Sequence, residues 1–171
     1  VGSEMCRRDR LYVTSGLGGM SGAQGKAAEI AGAASIIAEV DDSRITTRYT
    51  QGWVTHRTDS LDEALSIAQE HLNSKTACAV AYHGNVVDLL EYLYEKGVHV
   101  DLMSDQTSCH MAHDGGYCPQ GLSFEERTRM LAEDPAGFRA LVDKTLAHHY
   151  EMICKFHDRC TCLLYTSDAA D

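Results

Sequence analysis

Proline and bulky aromatics are scarce: the 171 residues hold two prolines, three phenylalanines and one tryptophan. With fourteen glycines, the glycine and proline content stays far below that of collagen-like or low-complexity chains. Positive charge is short as well. Fifteen Lys and Arg face twenty-five Asp and Glu, a formal net charge of −10 that the nine histidines do not reverse at neutral pH. An acidic chain repels phosphate backbones, which argues against general nucleic-acid binding and leaves room only for a local cationic pocket. No apolar run approaches the roughly 18 residues needed to span a bilayer. Residues 1–10 carry charge without an apolar core, unlike a secretory signal. The seven cysteines are odd in number and scattered, without the dense pairing of a secreted disulfide scaffold. These absences lead to the expectation of a reduced, soluble, cytoplasmic protein with no membrane and no nucleic-acid partner.

What is present is globular. Hydrophobic residues make up 44 % and charged residues 23 %, enough for one domain with a core that needs neither disulfide nor metal. Strand-like and helix-like stretches alternate. Residues 11–14 (LYVT) form a short β-branched run; the alanine-rich stretch 23–34 predicts a helix packed closely on a flat surface. Residues 35–39 predict a second strand ending in Glu39. Residues 41–59 predict a helix and then a short strand near Trp53 and Val54. Ser60 and Glu63 have the spacing of a capping box, and Leu61, Ala64, Leu65, Ala68 and Leu72 follow at helical intervals. A strand over 77–82, an amphipathic helix over 85–96 stopped by Gly97, and a strand over 98–103 come next. Ser123 and Glu126 open another helix with capping-box spacing. Asp134 and Pro135 begin a last one, carrying Phe138, Leu141, Val142, Leu146 and His149 on one face. Short connections through helices imply parallel strands. The expected class is α/β: a doubly wound, mostly parallel Rossmann-like sheet with helices on both faces.

The strongest chemical signal is the run GLGGMSG at 16–22, set between a strand and the alanine-rich helix. Glycines there can turn the chain, admit a pyrophosphate against the backbone, and let helix and strand pack closely, while the helix amino end offers N–H groups to phosphate. Strict G-x-G-x-x-G spacing from Gly16 places Ser21 in the third glycine slot, and a tight strand-to-helix turn is the plain alternative. Glu39, a little over twenty residues on, stands where a dinucleotide fold places an acid against the ribose hydroxyls. An acid there also repels a 2′-phosphate, favouring NAD over NADP. Turn, helix and acid together favour dinucleotide binding. Two polar segments, YHGN at 82–85 and SDQTSCH at 104–110, follow strand ends, where open parallel sheets bind ligands; turn and cap chemistry is their alternative reading. The cysteines and histidines at 109, 110, 113 and 118, and at 154, 157, 160 and 162, fit no zinc spacing, so no metal is expected. No nucleophile–base pair follows from spacing.

The segment TSGLGGMSGAQ at 14–24 resembles the glycine-rich signature of the urocanase (urocanate hydratase) family. YHGNVVD at 82–88, VDLMSDQTS at 100–108 and GYCPQGLSFEE at 116–126 resemble that family too, in its order. The resemblance covers about residues 11–155. It implies a cytoplasmic homodimer of histidine degradation that adds water to urocanate to give imidazolonepropionate, with NAD acting as an electrophile rather than a hydride carrier. Carried over by motif, Gly19, Met20 and Ser21 approach the pyrophosphate, and Glu39 holds the adenosine ribose with Arg44 beside it. Asn85 and Val86 line the cofactor; Gln106, Thr107, Ser108, Cys109 and His110 run along it, with Tyr117 and Cys118 beyond. The family usually carries proline where Gly25 stands, which predicts a looser first helical turn, and His110 and Tyr117 are one residue further apart than in some family members. Family members are much longer, with this domain inserted into a catalytic core, so no catalytic residue is expected in this chain. Residues 1–160 are expected to be the NAD-binding domain. Residues 161–171 resemble a translated sequencing adapter and are expected to be a non-native tail. The competing readings are an NAD-dependent oxidoreductase domain and a non-catalytic NAD-binding module.

Overall fold

The structure is a computed structural model describing residues 10–163 apart from Ser108 and Cys160; of Cys109 and His110 it describes the backbone only. Six strands form one sheet: β1 (Leu11–Ser15), β2 (Ala34–Glu39), β3 (His56–Thr58), β4 (Cys78–His83), β5 (Leu102–Met103) and β6 (Cys162–Leu163). Their order across the sheet is β3-β4-β2-β1-β5-β6, and every pairing is parallel. Helices α1 (Gln24–Ile30), α2 (Asp42–Thr50), α3 (Leu61–Ser74), α4 (Val86–Glu95), α5 (Phe124–Glu133) and α6 (Pro135–Asp158) supply the crossovers. The expected doubly wound α/β architecture is present. The chain leaves β1 for β2 on one side and reaches β5 on the other only after β4, so the connections diverge at the carboxyl ends of β1 and β5. A doubly wound sheet opens its ligand crevice at such a point.

Strand alternation sorts the core onto two faces. Val13, Ile36 and Val80 pack with Ala64, Leu65 and Ala68 of α3, Leu89, Leu90 and Leu93 of α4, and Met152 and Phe156 of α6. Ile37, Ala79 and Ala81 point the other way, against Leu17, Ile45 of α2 and Val54. Strands β2 and β4, covered on both faces, therefore read as continuous apolar runs. A third cluster, Ala112, Tyr117, Phe138 and Val142, packs α6 against the segment before α5.

The structure moves several expected boundaries. The helix expected over 23–34 is shorter: a 3₁₀ turn at Ser21–Ala23 precedes α1, and Gly32 at φ +85° turns the chain into β2. The strand expected near Trp53 and Val54 lies at His56–Thr58. Val54 instead fills the core, and the polar strand His-Arg-Thr exists because β4 pairs with it. Of the strand expected over 98–103, only Leu102–Met103 pairs with β1. The capping box at Ser123 is complete, with Ser123 Oγ accepting from Glu126 N–H and Glu126 Oε2 from Ser123 N–H. At Ser60 it is half made: Ser60 Oγ accepts from Glu63 N–H, but the Glu63 carboxylate takes the Thr58 hydroxyl and Ser60 N–H donates to Thr58 Oγ1. The boundary expected after residue 160 falls between α6 and β6, and Cys162 and Leu163 pair with Leu102 and Met103 in the sheet.

The first turn of α1 is close-packed rather than loose. A methyl group on Gly25 would lie 3.0 Å from Ile37 Cδ1, 3.2 Å from Ala79 Cβ and 3.2 Å from the Trp53 carbonyl oxygen. The close-approach role sought at position 21 is thus taken by Gly25, four residues on. Replacing Gly25 by Ala gains about 1 kcal/mol of helix propensity but crowds three neighbours, an overpacking cost of ~1–3 kcal/mol. The expected outcome is a net loss of stability, measured as a lower urea midpoint in Gly25→Ala.

Candidate functional site: a cleft at the carboxyl ends of the strands

The glycine turn is built by its own side chains and by one arginine. Gly16, at φ +89°, leaves β1 with its N–H donated to Ala38 O of β2 at 2.8 Å. A Cβ there would meet Ser21 Oγ at 2.9 Å, and that hydroxyl accepts the Gly18 N–H at 3.1 Å. Serine in the third slot therefore closes the turn by hydrogen bonding. Arg48 of α2 donates Nε to Leu17 O (3.1 Å) and a terminal nitrogen to Gly18 O (2.6 Å), while its guanidinium lies over Trp53. In a trans peptide the carbonyl and the following N–H point in opposite directions, so Arg48 turns the Gly19 N–H away from itself. Nothing lies within 4 Å of a Cβ position on Gly19, and the backbone there is open to close approach.

Glu39 ends β2 buried at 4 % exposure. Its Oε2 accepts the Leu17 N–H at 2.7 Å and its Oε1 the Asp41 N–H at 3.1 Å. Arg44 stands 3.8 Å from Glu39 Oε2 and 3.3 Å from Asp41 Oδ2. Asn85 caps α4 by accepting the Val87 N–H at 2.9 Å, and donates its amide to Cys118 O at 2.8 Å, which binds the 116–118 segment to the end of β4. Beneath the turn, Tyr12 and Thr14 of β1 donate to Gln24 Oε1 of α1 and meet Ser104 Oγ after β5 at 2.6 and 2.9 Å. That hydroxyl cluster joins β1, α1 and β5 behind the cleft.

These parts enclose a cleft of about 420 Å³. Of the residues expected at a cofactor, Gly19, Met20, Ser21, Glu39, Arg44, Asn85, Val86, Gln106, Thr107, Tyr117 and Cys118 all line it. Ser108 lies outside the described residues, and the side chains of Cys109 and His110 likewise; their backbone opens the 3₁₀ segment Cys109–Asp114. Burial pushes the Cys118 thiol up to about 11, with Glu39 and Glu126 adding to the rise and Arg127 opposing it. It is a thiol, not a thiolate, at neutral pH. Among the described residues no group of three or more His, Cys, Asp or Glu side chains could hold a metal ion, and no helix is long and apolar enough to cross a membrane. Sequence reasoning missed three contributors. Arg48 lies on a mixed-polarity helix with no motif around it. Asp105, inside the polar loop at 104–110, takes the Ser15 hydroxyl and both the N–H and hydroxyl of Thr107; its readable signal was an Asx turn. His149 was legible only as one residue of an apolar helix face.

Parallel strands, glycine turn, buried acid and polar loops at the strand ends define a Rossmann-like domain, a nucleotide-binding class of fold. The profile of the family described as "Urocanase Rossmann-like domain" matches residues 4–165, and the chain belongs to that family. It is 46 % identical over 149 residues to the urocanate hydratases of Mus musculus and of Homo sapiens, covering 84 % of this chain and 22 % of each relative. A probable urocanate hydratase of Caenorhabditis elegans is 44 % identical over 147 residues, covering 85 % of this chain and 22 % of that protein. The chain thus spans a little over a fifth of the length of the relatives it matches.

Two expected outcomes follow from the geometry. Arg48→Ala removes a charged donor from two loop carbonyls and should cost about 1–3 kcal/mol in urea unfolding. Arg48→Lys should recover less than half of that, since an ammonium cannot reproduce the fork. The adjacent histidines of α6 are shifted in opposite directions. The Glu91 hydrogen bond holds His148 above the ordinary histidine range, against the opposing effect of burial, whereas burial holds His149 below it. The His148 contribution to stability is present below the unfolded histidine value of about 6.5 and is lost as pH rises through its raised folded value. The His149 contribution is present above that value and is lost as pH falls toward its lowered folded one. His148→Gln should therefore make the unfolding midpoint climb more steeply with pH between 6 and 8 than in the wild type, as chemical denaturation at stepped pH would measure.

Proposed function

We propose that this chain is the NAD-binding part of a urocanate hydratase, a lyase of histidine degradation that adds water to urocanate to give imidazolonepropionate. One observation carries the reading: four separated motifs, spread over residues 14–126, converge on one cleft at the carboxyl ends of β1, β2, β4 and β5. Residues in that cleft fit the cofactor. The open backbone at Gly19, with Met20 and Ser21, suits a pyrophosphate. The Glu39 carboxylate, already fixed by two backbone N–H groups, keeps lone pairs for ribose hydroxyls, with Arg44 beside it. Asn85, Val86, Gln106 and Thr107 form the far wall, with Tyr117 and Cys118 closing it; Ser108, Cys109 and His110 are assigned to the cofactor by the motif alone. Bound NAD would supply an electrophilic nicotinamide; the residues of this chain hold and orient it.

The chain spans about 22 % of the length of its relatives, and we assign substrate binding and catalysis of the whole protein to its other segments; a cytoplasmic homodimer as the working form rests on the resemblance to the family alone. Burial keeps the Cys118 thiol protonated at neutral pH, so Cys118 itself is not assigned as a nucleophile. Isothermal titration of the chain with NAD and with NADP tests the reading. NAD should bind and NADP should bind more weakly, because a buried acid repels a 2′-phosphate. Glu39→Gln should weaken NAD by about tenfold or more, from loss of charged hydrogen bonds worth ~1.5–3 kcal/mol, and should narrow the NAD-to-NADP ratio. Equal affinity of wild type and Glu39→Gln for NAD would remove the ribose assignment.

A further inference from the structure

Two walls of the cleft come from different parts of the chain: residues 104–107 after β5, and the segment carrying Tyr117. One side chain of α6 stands between them. His149 is 3 % exposed. Its Nδ1 lies 3.2 Å from the Tyr117 hydroxyl, its ring stacks on the phenol at 6.2 Å between centroids, and its Nε2 lies 3.7 Å from Asp105 Oδ2. Asp105 in turn accepts from the Ser15 hydroxyl at the end of β1 and from the N–H and hydroxyl of Thr107. Ser15, Thr107 and Tyr117 line the cleft, whereas His149 does not.

We propose that His149 is a positioning residue of the nucleotide cleft, a neutral imidazole that holds Tyr117 at one nitrogen and faces Asp105 with the other, so that both walls keep one arrangement. The proposal rests on the nucleotide-binding reading above. A neutral imidazole has one donor and one acceptor nitrogen. With the Tyr117 O–H donating to Nδ1, the proton sits on Nε2 and faces the Asp105 carboxylate. Protonation places a hydrogen on Nδ1 as well. The Tyr117 hydroxyl must then turn and accept, and the new cation competes for the carboxylate that holds Ser15 and Thr107. Among the described residues, Asp105 from the loop after β5 and Tyr117 from the segment before α5 face the ring, and the neighbouring His148 of α6 acts on it through charge. Burial and His148 disfavour the charged ring, and Asp105 favours it; burial dominates. The neutral arrangement therefore holds at neutral pH and gives way only below the ordinary histidine range.

Amide hydrogen exchange of the full chain without nucleotide, together with NAD titrations at pH 7.5 and at pH 5, tests this. His149→Phe fills the same space with neither donor nor acceptor; His149→Asn keeps an oxygen where Nδ1 stood. In the Phe variant, amides of Thr107, Tyr117 and Cys118 should exchange faster while those of β2 and β4 stay as in the wild type. NAD should bind about tenfold more weakly at pH 7.5, the equivalent of one lost hydrogen bond. The Asn variant should regain most of the Tyr117 protection and of the affinity. Wild-type affinity should fall from pH 7.5 to pH 5, and that fall should be absent in the Phe variant. Unchanged exchange at Thr107 and Tyr117 with unchanged NAD affinity in His149→Phe would overturn the proposal and leave His149 a packing residue. A wild-type chain that binds no NAD, while His149→Phe still loosens residues 104–107, would refute the nucleotide reading and leave the coupling of the two walls standing.

Discussion

The cleft depends on one buried carboxylate. Glu39 belongs to the sheet through its backbone and to the glycine turn through its side chain, where it holds the Leu17 N–H at 2.7 Å. An acidic side chain at 4 % exposure is tolerable only when donors surround it, and here the donors are the chain segments that must be fixed. Leu17 and Asp41 N–H groups point at it, and Arg44 closes the open side. Arg48 does the complementary work from the other side of the loop, taking the carbonyls of Leu17 and Gly18. The Leu17 residue is thereby held at its N–H by an acid and at its C=O by a cation. A flexible glycine-rich loop becomes a preorganised one, which reduces the ordering cost that binding would otherwise carry.

Legibility in the sequence followed interaction range. The glycine turn, Glu39 and the polar loops at 82–85 and 104–110 were readable because each is a local pattern placed by strand-to-helix punctuation. The order of strands and helices was readable for the same reason. The edge strand β3 was not: His56, Arg57 and Thr58 have no alternation of their own and are extended because β4 offers a pairing partner. Trp53 and Val54 carried the residue types of a strand but served the core and the Arg48 guanidinium instead. At Ser60 the capping-box spacing was right, yet Thr58 intercepted both polar groups, a competition that spacing cannot express. Arg48, Asp105 and His149 act on partners some thirty to ninety residues away, where only the folded topology supplies proximity.

Gly25, where the resemblance led to an expectation of proline, illustrates how a local rule is replaced by a tertiary one. Proline suits the first turn of a helix because its φ is preset. Glycine at position 25 gives up that advantage and gains nearness: α1 lies close enough to the sheet that Ile37, Ala79 and the Trp53 carbonyl occupy the space of a side chain. The turn is then kept rigid by Ser21, Gln24 and Arg48 rather than by backbone restriction. Hydroxyls of Tyr12, Thr14 and Ser104 extend that rigidity through the sheet to the loop after β5.

The sheet tapers. Strands β1, β2 and β4 run five, six and six residues, whereas β3 at the margin runs three. A strand at a margin exposes a row of unpaired amide groups that can template another chain, and brevity is one of the ways a protein limits that hazard. With three residues on the β3 flank, that margin of the described sheet offers a foreign strand almost no ladder to climb. Like-charge repulsion in a chain with a formal net charge of −10 works in the same direction.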